Sequence, residues 1–590
     1  MRELEYPFDS SYILRNRIRL KRQIQKDKIF RIPVKIAVLG GSTTHDICNY
    51  LQLFLLNQGI EPIFYESDYN KYWEEAIFPN EKLKMFNPDI IYIHTTNRNI
   101  TADINSTDTF EDITEKLEGQ YLHFEEIWEK LRKDYHCTII QNNFERPLFR
   151  LYGNKDINDV HGFSNFVFRL NSKFYEYSQR VSWLYIHDID YISSVYGLAQ
   201  WCDLKVWYMY KYAMAIEAIP EFCFSLSNII KSLCGKNKKV LSIDLDNTLW
   251  GGVFSEDGMN GIELGKESAA GEMYEEIQRY VKRQKEIGTV LTVNSKNEMS
   301  SVELAFTHPD MQLKIEDFSV IKANWNNKDI NIADTAEELN VGLDSFVFVD
   351  DNPVERAIVK EQLPQVTVPD LDEPEQYIKV LDRAGYFEVT RLTDEDRERV
   401  RMYQATAERN SEKKKYSNYG EFLLSLDMEA EIKEIDEENM QRVVQLINKS
   451  NQFNLTTKRF MESDIRRFME DENYIVLYGR LRDKFGDNGI VSVLIARKEK
   501  KDVHIDLFLM SCRVFKRGME DAMMDELFHL LNPEENKFVY GYYYKTKKNT
   551  LVENLYQKMG FHTVEATDDS KIYIISEVDY IKKNKNIRVI

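Results

Sequence analysis

The sequence predicts an α/β protein of several consecutive units, and three observations carry that prediction. Apolar runs of strand length alternate with long amphipathic helical stretches. Two of those runs, KIAVLGG and VLSIDLD, end in glycines or carboxylates, as strands of a parallel sheet do at a ligand-binding edge. Beyond residue 427 the order changes to strands in succession followed by a helix, an α+β pattern. The chain has 590 residues, which at about 100–200 per domain is three to four domains.

From Lys35 the segment KIAVLGGSTTHDI reads as a buried strand, a Gly-Gly turn and a helix start capped by Ser42 or Thr43. IEPIFYES, PDIIYIHTT, HCTIIQNN and WLYIHDID continue the strand pattern, giving a doubly wound, flavodoxin-type sheet. A mostly helical bridge follows and ends near Cys234. The expected divisions are an arm over 1–34, a first domain over 35–236, a second over 237–390, a polar helical linker over 391–426 and a third domain over 427–590.

Composition narrows the function. Asp and Glu number 97 against 78 Lys and Arg, a net charge of -19, so phosphate backbones are repelled and nucleic acid is not an expected partner. No run of 18 apolar residues is present, so no membrane span is expected, and the N-terminus lacks the apolar core of a secretory signal. Six scattered cysteines without a C-x-x-C pair fit a reducing cytoplasm.

The strongest chemical signal is LSIDLDNTLWGGV. Asp244 and Asp246 stand two apart at a strand end, where one carboxylate can attack phosphorus and the other can move the proton. Close carboxylates repel, and oxygen-only ligands favour Mg²⁺. VLTVNSKNE ends a second strand in Ser295, a hydroxyl for a phosphoryl oxygen, and SFVFVDDNPVER ends a third in Asp350 and Asp351, which can complete a metal shell. Lys328 opens a helix, a position unfavourable to a cation unless it faces an anion. Together these residues predict a Mg²⁺-dependent phosphoryl-handling site on a small phosphorylated substrate.

These segments resemble the haloacid dehalogenase (HAD) superfamily, with its Rossmannoid fold and D-x-D-x-T class. More closely, DLDNTLWGGVFSEDG, SKNE, HPDM, NWNNK, FVFVDDNPVER, NQFNLTTKRF, FGDNGIVSVLI and LMSCRVFKRGME resemble the FkbH-like family. The resemblance implies Asp244 as nucleophile, Asp246 as general acid/base oriented by Thr248, Ser295 and Lys328 on the phosphoryl group, and Asp244, Asp246, Asp350 and Asp351 around Mg²⁺. It further implies an enzyme that takes a glyceryl unit from 1,3-bisphosphoglycerate, removes its phosphate and loads it on an acyl carrier protein. One departure stands out: the family usually has an acyl-carrying Cys before SKN, and this chain has Asn294. An amide is no nucleophile, so Cys512 is the alternative thiol, direct transfer to the carrier another route, and a simple phosphatase or a non-glyceryl acyltransferase the alternative function.

The flanking units carry weaker resemblances. KIAVLGGSTTHDI resembles the first block of SGNH hydrolases, implying Ser42 as nucleophile with Asn97, and Asn142 or Asn143, as oxyanion donors. The late Asp-x-x-His is absent: Leu184 stands three before His187, so His187 with a neighbouring Asp is the remaining candidate. The C-terminal unit resembles the GNAT acyltransferase fold, with NTLVENLYQKMGF as its last helix and Asn549 and Tyr556 facing an acyl thioester. Its phosphate-cradling turn reads Arg513 to Gly518 with Lys516 where a glycine is usual, which weakens CoA binding but leaves room for a carrier's phosphopantetheine. Arg513, Lys516 and Arg517 would there suit an acidic carrier protein.

Overall fold

The computed structural model describes the chain apart from residues 28–30, 393, 414, 451, 533 and 547. It divides into two compact units, Met1–Leu233 with Met461–Asp464, and Cys234–Phe460 with Ile465–Ile590.

The first unit is built on five parallel strands, β1 (Ile32–Gly40), β2 (Ile60–Glu66), β3 (Ile90–His94), β4 (Thr138–Asn142) and β5 (Leu184–His187), in the order β2-β1-β3-β4-β5. Strand β3 is buried along its whole length, which is why its residues form a continuous apolar run rather than an alternation. The helix Phe110–Tyr135 starts on a Thr109–Asp112 capping box and ends at His136 in the left-handed region. It buries Ile113, Leu117, Phe124, Trp128 and Leu131 at helical spacing, and Trp128 meets Phe174 edge-on at 4.7 Å. The N-terminal arm is itself a helix, Ser10–Lys26. The bridge's last helix, Ile219–Leu233, packs on His45–Asn57 and belongs to this unit. The cap expected at Ser42 or Thr43 is not made. The helix begins after Thr44, whose hydroxyl bonds Glu66 at 2.8 Å, while the Thr43 hydroxyl bonds the Tyr210 carbonyl at 2.7 Å.

The second unit has two lobes. The HAD-like lobe carries four parallel strands, β6 (Val240–Ile243), β7 (Val290–Ser295), β8 (Val320–Ala323) and β9 (Phe346–Val349), in the order β8-β7-β6-β9. In register, Ile243 lies beside both Val293 and Val349, so the residues that follow emerge at one sheet edge. The C-terminal lobe is a sheet of β10 (Met428–Glu434), β11 (Tyr474–Asp483), β12 (Gly486–Glu499), β13 (Asp502–Met510), β14 (Phe538–Tyr544), β15 (His562–Ala566), β16 (Ser570–Ser576) and β17 (Ile587–Val589). Its order is β15-β16-β14-β13-β12-β11-β10-β17. At its centre β13 and β14 run parallel, paired only over Asp502–Ile505 and Phe538–Gly541 before they diverge. That split parallel pair in an otherwise largely antiparallel sheet is the GNAT-like pattern.

The polar helical linker DEDRERVRMYQATAERNSEKKKY contains the helix Asp394–Lys413, with Val400 and Tyr403 buried; residues 393 and 414 lie outside the described residues. One expectation needs correction here. NTLVENLYQKMGF is not one helix but a 3₁₀ turn, Thr550–Val552, and a single α turn, Leu555–Lys558. Among the described residues no helix is long and apolar enough to cross a membrane.

Candidate active site

Asp244 leaves the end of β6, with its N–H donated to the Val349 carbonyl at 2.9 Å. Its carboxylate is buried. One oxygen lies 2.9 Å from the Lys328 ammonium, and the other has no hydrogen-bond partner. Lys328 also reaches Asp350 at 2.5 Å. Asp244, Asp350 and Asp351 each offer a carboxylate oxygen, and these atoms lie within 4.8 Å of one another. Three carboxylates against one ammonium leave an excess of negative charge in a largely buried site. Burial and the charge of Asp244 push Asp350 up to about 6, although Lys328 and the Asn352 N–H pull it down. Asp351 is raised by the same two causes. For Lys328 burial opposes the charge, but Asp244 and Asp350 outweigh it and hold the ammonium more firmly protonated than usual.

A buried carboxylate oxygen without a partner, beside two more carboxylates, is the donor set a hard divalent cation takes. The residues present therefore fit Mg²⁺ through Asp244, Asp350 and Asp351. Asp246 is not in that set. One of its oxygens accepts from the Trp250 indole (2.9 Å) and the Phe254 N–H (3.0 Å), the other from Asn297 (2.7 Å). Thr248 does not orient Asp246 either; its hydroxyl accepts the Asp351 N–H at 3.2 Å and so fixes the third carboxylate. Ser295, buried at the end of β7, accepts from the same Asn297 at 3.2 Å, which links it to Asp246.

Asn297, Arg356 and Asn294 complete the frame without having been singled out for it. The Arg356 guanidinium donates to the carbonyls of Asp350 (2.9 Å), Asp351 (2.7 Å) and Leu371 (2.8 Å), holding the loop after β9. The buried Asn294 amide donates to the Lys328 carbonyl at 2.9 Å and accepts from Asn331 at 3.1 Å, so it ties the start of the Lys328 helix to β7. The signal for Asn297 and Arg356 was their place inside SKNE and DDNPVER; nothing in the spacing announced the Asn294–Asn331 pair.

The SGNH-like residues do not assemble. His187 is wholly buried, with one ring nitrogen near the Tyr92 hydroxyl (3.4 Å) and the other near Ser225 (3.3 Å). Burial and neighbouring His94 push it down to about 3, so it stays neutral. Ser42 is buried with an unpartnered hydroxyl, and Asn97 spends its amide on the Glu145 carbonyl at 3.2 Å. Asn142 accepts the Thr95 N–H at 2.9 Å, and Asn143 donates to Tyr175 at 2.7 Å and Asp188 at 2.6 Å.

In the C-terminal lobe the expected acyl residues are likewise engaged. Asn549 is buried and bonds the carbonyls of Asn454 and Tyr544, each at 2.9 Å. Tyr556 is fully buried against Gly541, where an added Cβ would lie 2.6 Å from its ring. Arg513 and Arg517 are buried as well, Arg517 on Asp483 at 2.9 Å, so only Lys516 of the basic trio faces solvent. Cys512 is part-buried, and its carbonyl accepts from Asn340.

Residues 35–231 match the family model described as FkbH, N-terminal domain. Over those residues the chain is similar to the FkbH N-terminal domain. Among solved structures, the chain is similar to the N-terminal part of BF1531 from Bacteroides fragilis, which contains a phosphatase domain and is complexed with Mg. The TM-score is 0.59 at 28% identity, over 64% of this chain and 99% of that one. The ribosomal-protein-S18-alanine N-acetyltransferase from Escherichia coli aligns with 25% of this chain and 93% of its own, at 12% identity and a TM-score of 0.20. The fold of the C-terminal lobe rests on its own strand order instead. No curated protein matches the chain.

Proposed function

We propose that this FkbH-like chain is a Mg²⁺-dependent phosphatase or phosphotransferase working through Asp244. The observation that carries the reading is the buried, unpartnered Asp244 oxygen beside Lys328, Asp350 and Asp351. Asp244 attacks phosphorus, the bond to the leaving oxygen breaks, and an aspartyl-phosphate forms. Asp246, held by Trp250, Phe254 and Asn297, gives its proton to the leaving oxygen and later takes one from the water that releases phosphate. Ser295 and Lys328 hold the phosphoryl oxygens. Mg²⁺, when bound by Asp244, Asp350 and Asp351, would neutralise charge on the phosphoryl group; the Mg in the BF1531 structure supports that choice.

For donor and acceptor the support is the family resemblance: 1,3-bisphosphoglycerate as phosphorylated substrate and an acyl carrier protein as recipient of the glyceryl group. Asn294, committed to the Lys328 helix, supplies no thiol, which favours direct transfer to the carrier or phosphate release alone. The test is phosphate release from 1,3-bisphosphoglycerate with and without Mg²⁺ and a holo carrier protein, with intact mass read on the carrier. Asp244→Asn is expected to lower release by about 10³-fold or more at unchanged fold. Release that survives in Asp244→Asn would remove the assignment, and a carrier that gains no mass would leave a phosphatase.

A further inference from the structure

Where β13 and β14 diverge past Ile505 and Gly541, their facing edges would expose unpaired backbone N–H and C=O groups. Such an edge accepts an extended, amide-bearing ligand. Here the chain fills it itself. The Leu455 N–H donates to the Phe508 carbonyl (3.1 Å), the Met510 N–H to the Phe453 carbonyl (3.0 Å), and the Tyr544 N–H to the Leu455 carbonyl (2.9 Å). Asn454 adds an antiparallel bridge to Leu509, and the Thr456 hydroxyl bonds the Asp506 carbonyl at 2.9 Å. Residues 453–456 thus pair with both strands at once, and all four are buried. Asn549 locks them by donating to the Asn454 carbonyl at 2.9 Å.

The phosphate end of the same region is also engaged. At the start of the helix Met519–Leu530, the place for an anion, Glu520 holds a carboxyl oxygen that is buried and unpartnered, an acid where a phosphate would go. The loop before it is turned inward: Cys512 accepts from Asn340 of the HAD-like lobe, Arg513 meets Met402, and Arg517 bonds Asp483 and the Arg513 carbonyl (2.7 Å). Lys548, beside the wedge, pairs with Asp344 of the HAD-like lobe.

We infer that the C-terminal lobe is closed to pantetheine thioesters, free or carried by CoA, because residues 453–456 occupy the wedge between β13 and β14 as a built-in plug. Cys512 and Lys548 instead contact the HAD-like lobe. The inference stands apart from the phosphatase reading, since no plug or loop residue belongs to the Asp244 site. Any acyl acceptor must then be served elsewhere than in this wedge.

The test uses the full chain. Hydrogen exchange should show the Leu455, Met510 and Tyr544 amides exchanging as slowly as those of central strands. Calorimetric titration with CoA, and separately with pantetheine, should show no saturable binding up to about 1 mM. Exchange at those amides as fast as in surface loops would overturn the plug, and saturable binding of either compound would overturn the closure.

Discussion

Asp244 and Asp246 stand two residues apart, yet their surroundings are opposite. Asp244 has one oxygen on an ammonium and the other with no partner; Asp246 accepts two N–H donors on one oxygen and one on the other. The D-x-D spacing was legible in the sequence, and so were Lys328, Asp350 and Asp351. Which carboxylate joins the later pair was not, because the donors that take Asp246 come from Trp250, Phe254 and Asn297, past the strand end. His94 and His187 make the same point for the first unit: a histidine in a strand pattern reads equally as ligand or as core. Both are wholly buried, and burial pushes His94 down to about 4 and His187 down to about 3. A histidine whose folded value lies below its unfolded one binds protons better when unfolded, so it costs stability as pH falls from about 6.5 toward those values. Glu145 acts in the other direction: burial pushes it up to about 8, so it costs stability as pH rises toward 8. Between pH 6.5 and 4 the two histidines together should weaken the first unit by on the order of 5 kcal/mol in denaturant unfolding, partly offset by Glu145, which gains stability as pH falls over the same range. The His94→Asn/His187→Asn double variant should lose most of that slope; an equal drop in variant and native protein would mean the histidines do not set it.

At the scale of elements, strands with continuous apolar runs and a helical linker were readable, and the remote partners that hold that helix were not. The helix Asp394–Lys413 is so polar that its sequence describes a solvated helical linker. Its buried positions, Val400, Tyr403, Thr406 and Arg409, fall three apart on one narrow face. Tyr403 packs among Ile332, Phe348 and other core residues of the HAD-like lobe. Arg409 finds Asp483 at 2.9 Å, a partner on β11 that no local pattern could supply. Strand β8 gives little signal because VIKA is only four residues long and carries Lys322. Since Tyr403 fills a closed core, Tyr403→Ala should leave a cavity and destabilise the second unit by about 3 kcal/mol or more, read by urea unfolding at unchanged slope. A loss under about 0.5 kcal/mol, usual for a surface site, would return this helix to the status of a linker.

For the molecule as a whole, the division into two units predicts where a metal acts. The carboxylate set lies wholly within Cys234–Ile590, on residues that converge only when β6 and β9 are paired. Mg²⁺ therefore binds the folded second unit and not its unfolded chain, and by mass action should stabilise it by about 2.7 kcal/mol at 100-fold excess over Kd. The burial of Asp244 and Asp350 should lower that Kd below what surface acids would give, because the cation relieves repulsion between carboxylates that water screens little. Hydrogen exchange should slow on adding Mg²⁺ at the ends of β6 and β9 and in the loop held by Arg356, while the strands β1 to β5 are unchanged. Asp351→Asn removes one of the three ligands without disturbing Lys328, whose contacts are to Asp244 and Asp350. That variant should keep its fold and lose most of the Mg²⁺-dependent rise in unfolding temperature; a rise equal to that of the native chain would place the metal elsewhere, and protection spread over the first unit would break the link between the cation and these strand ends.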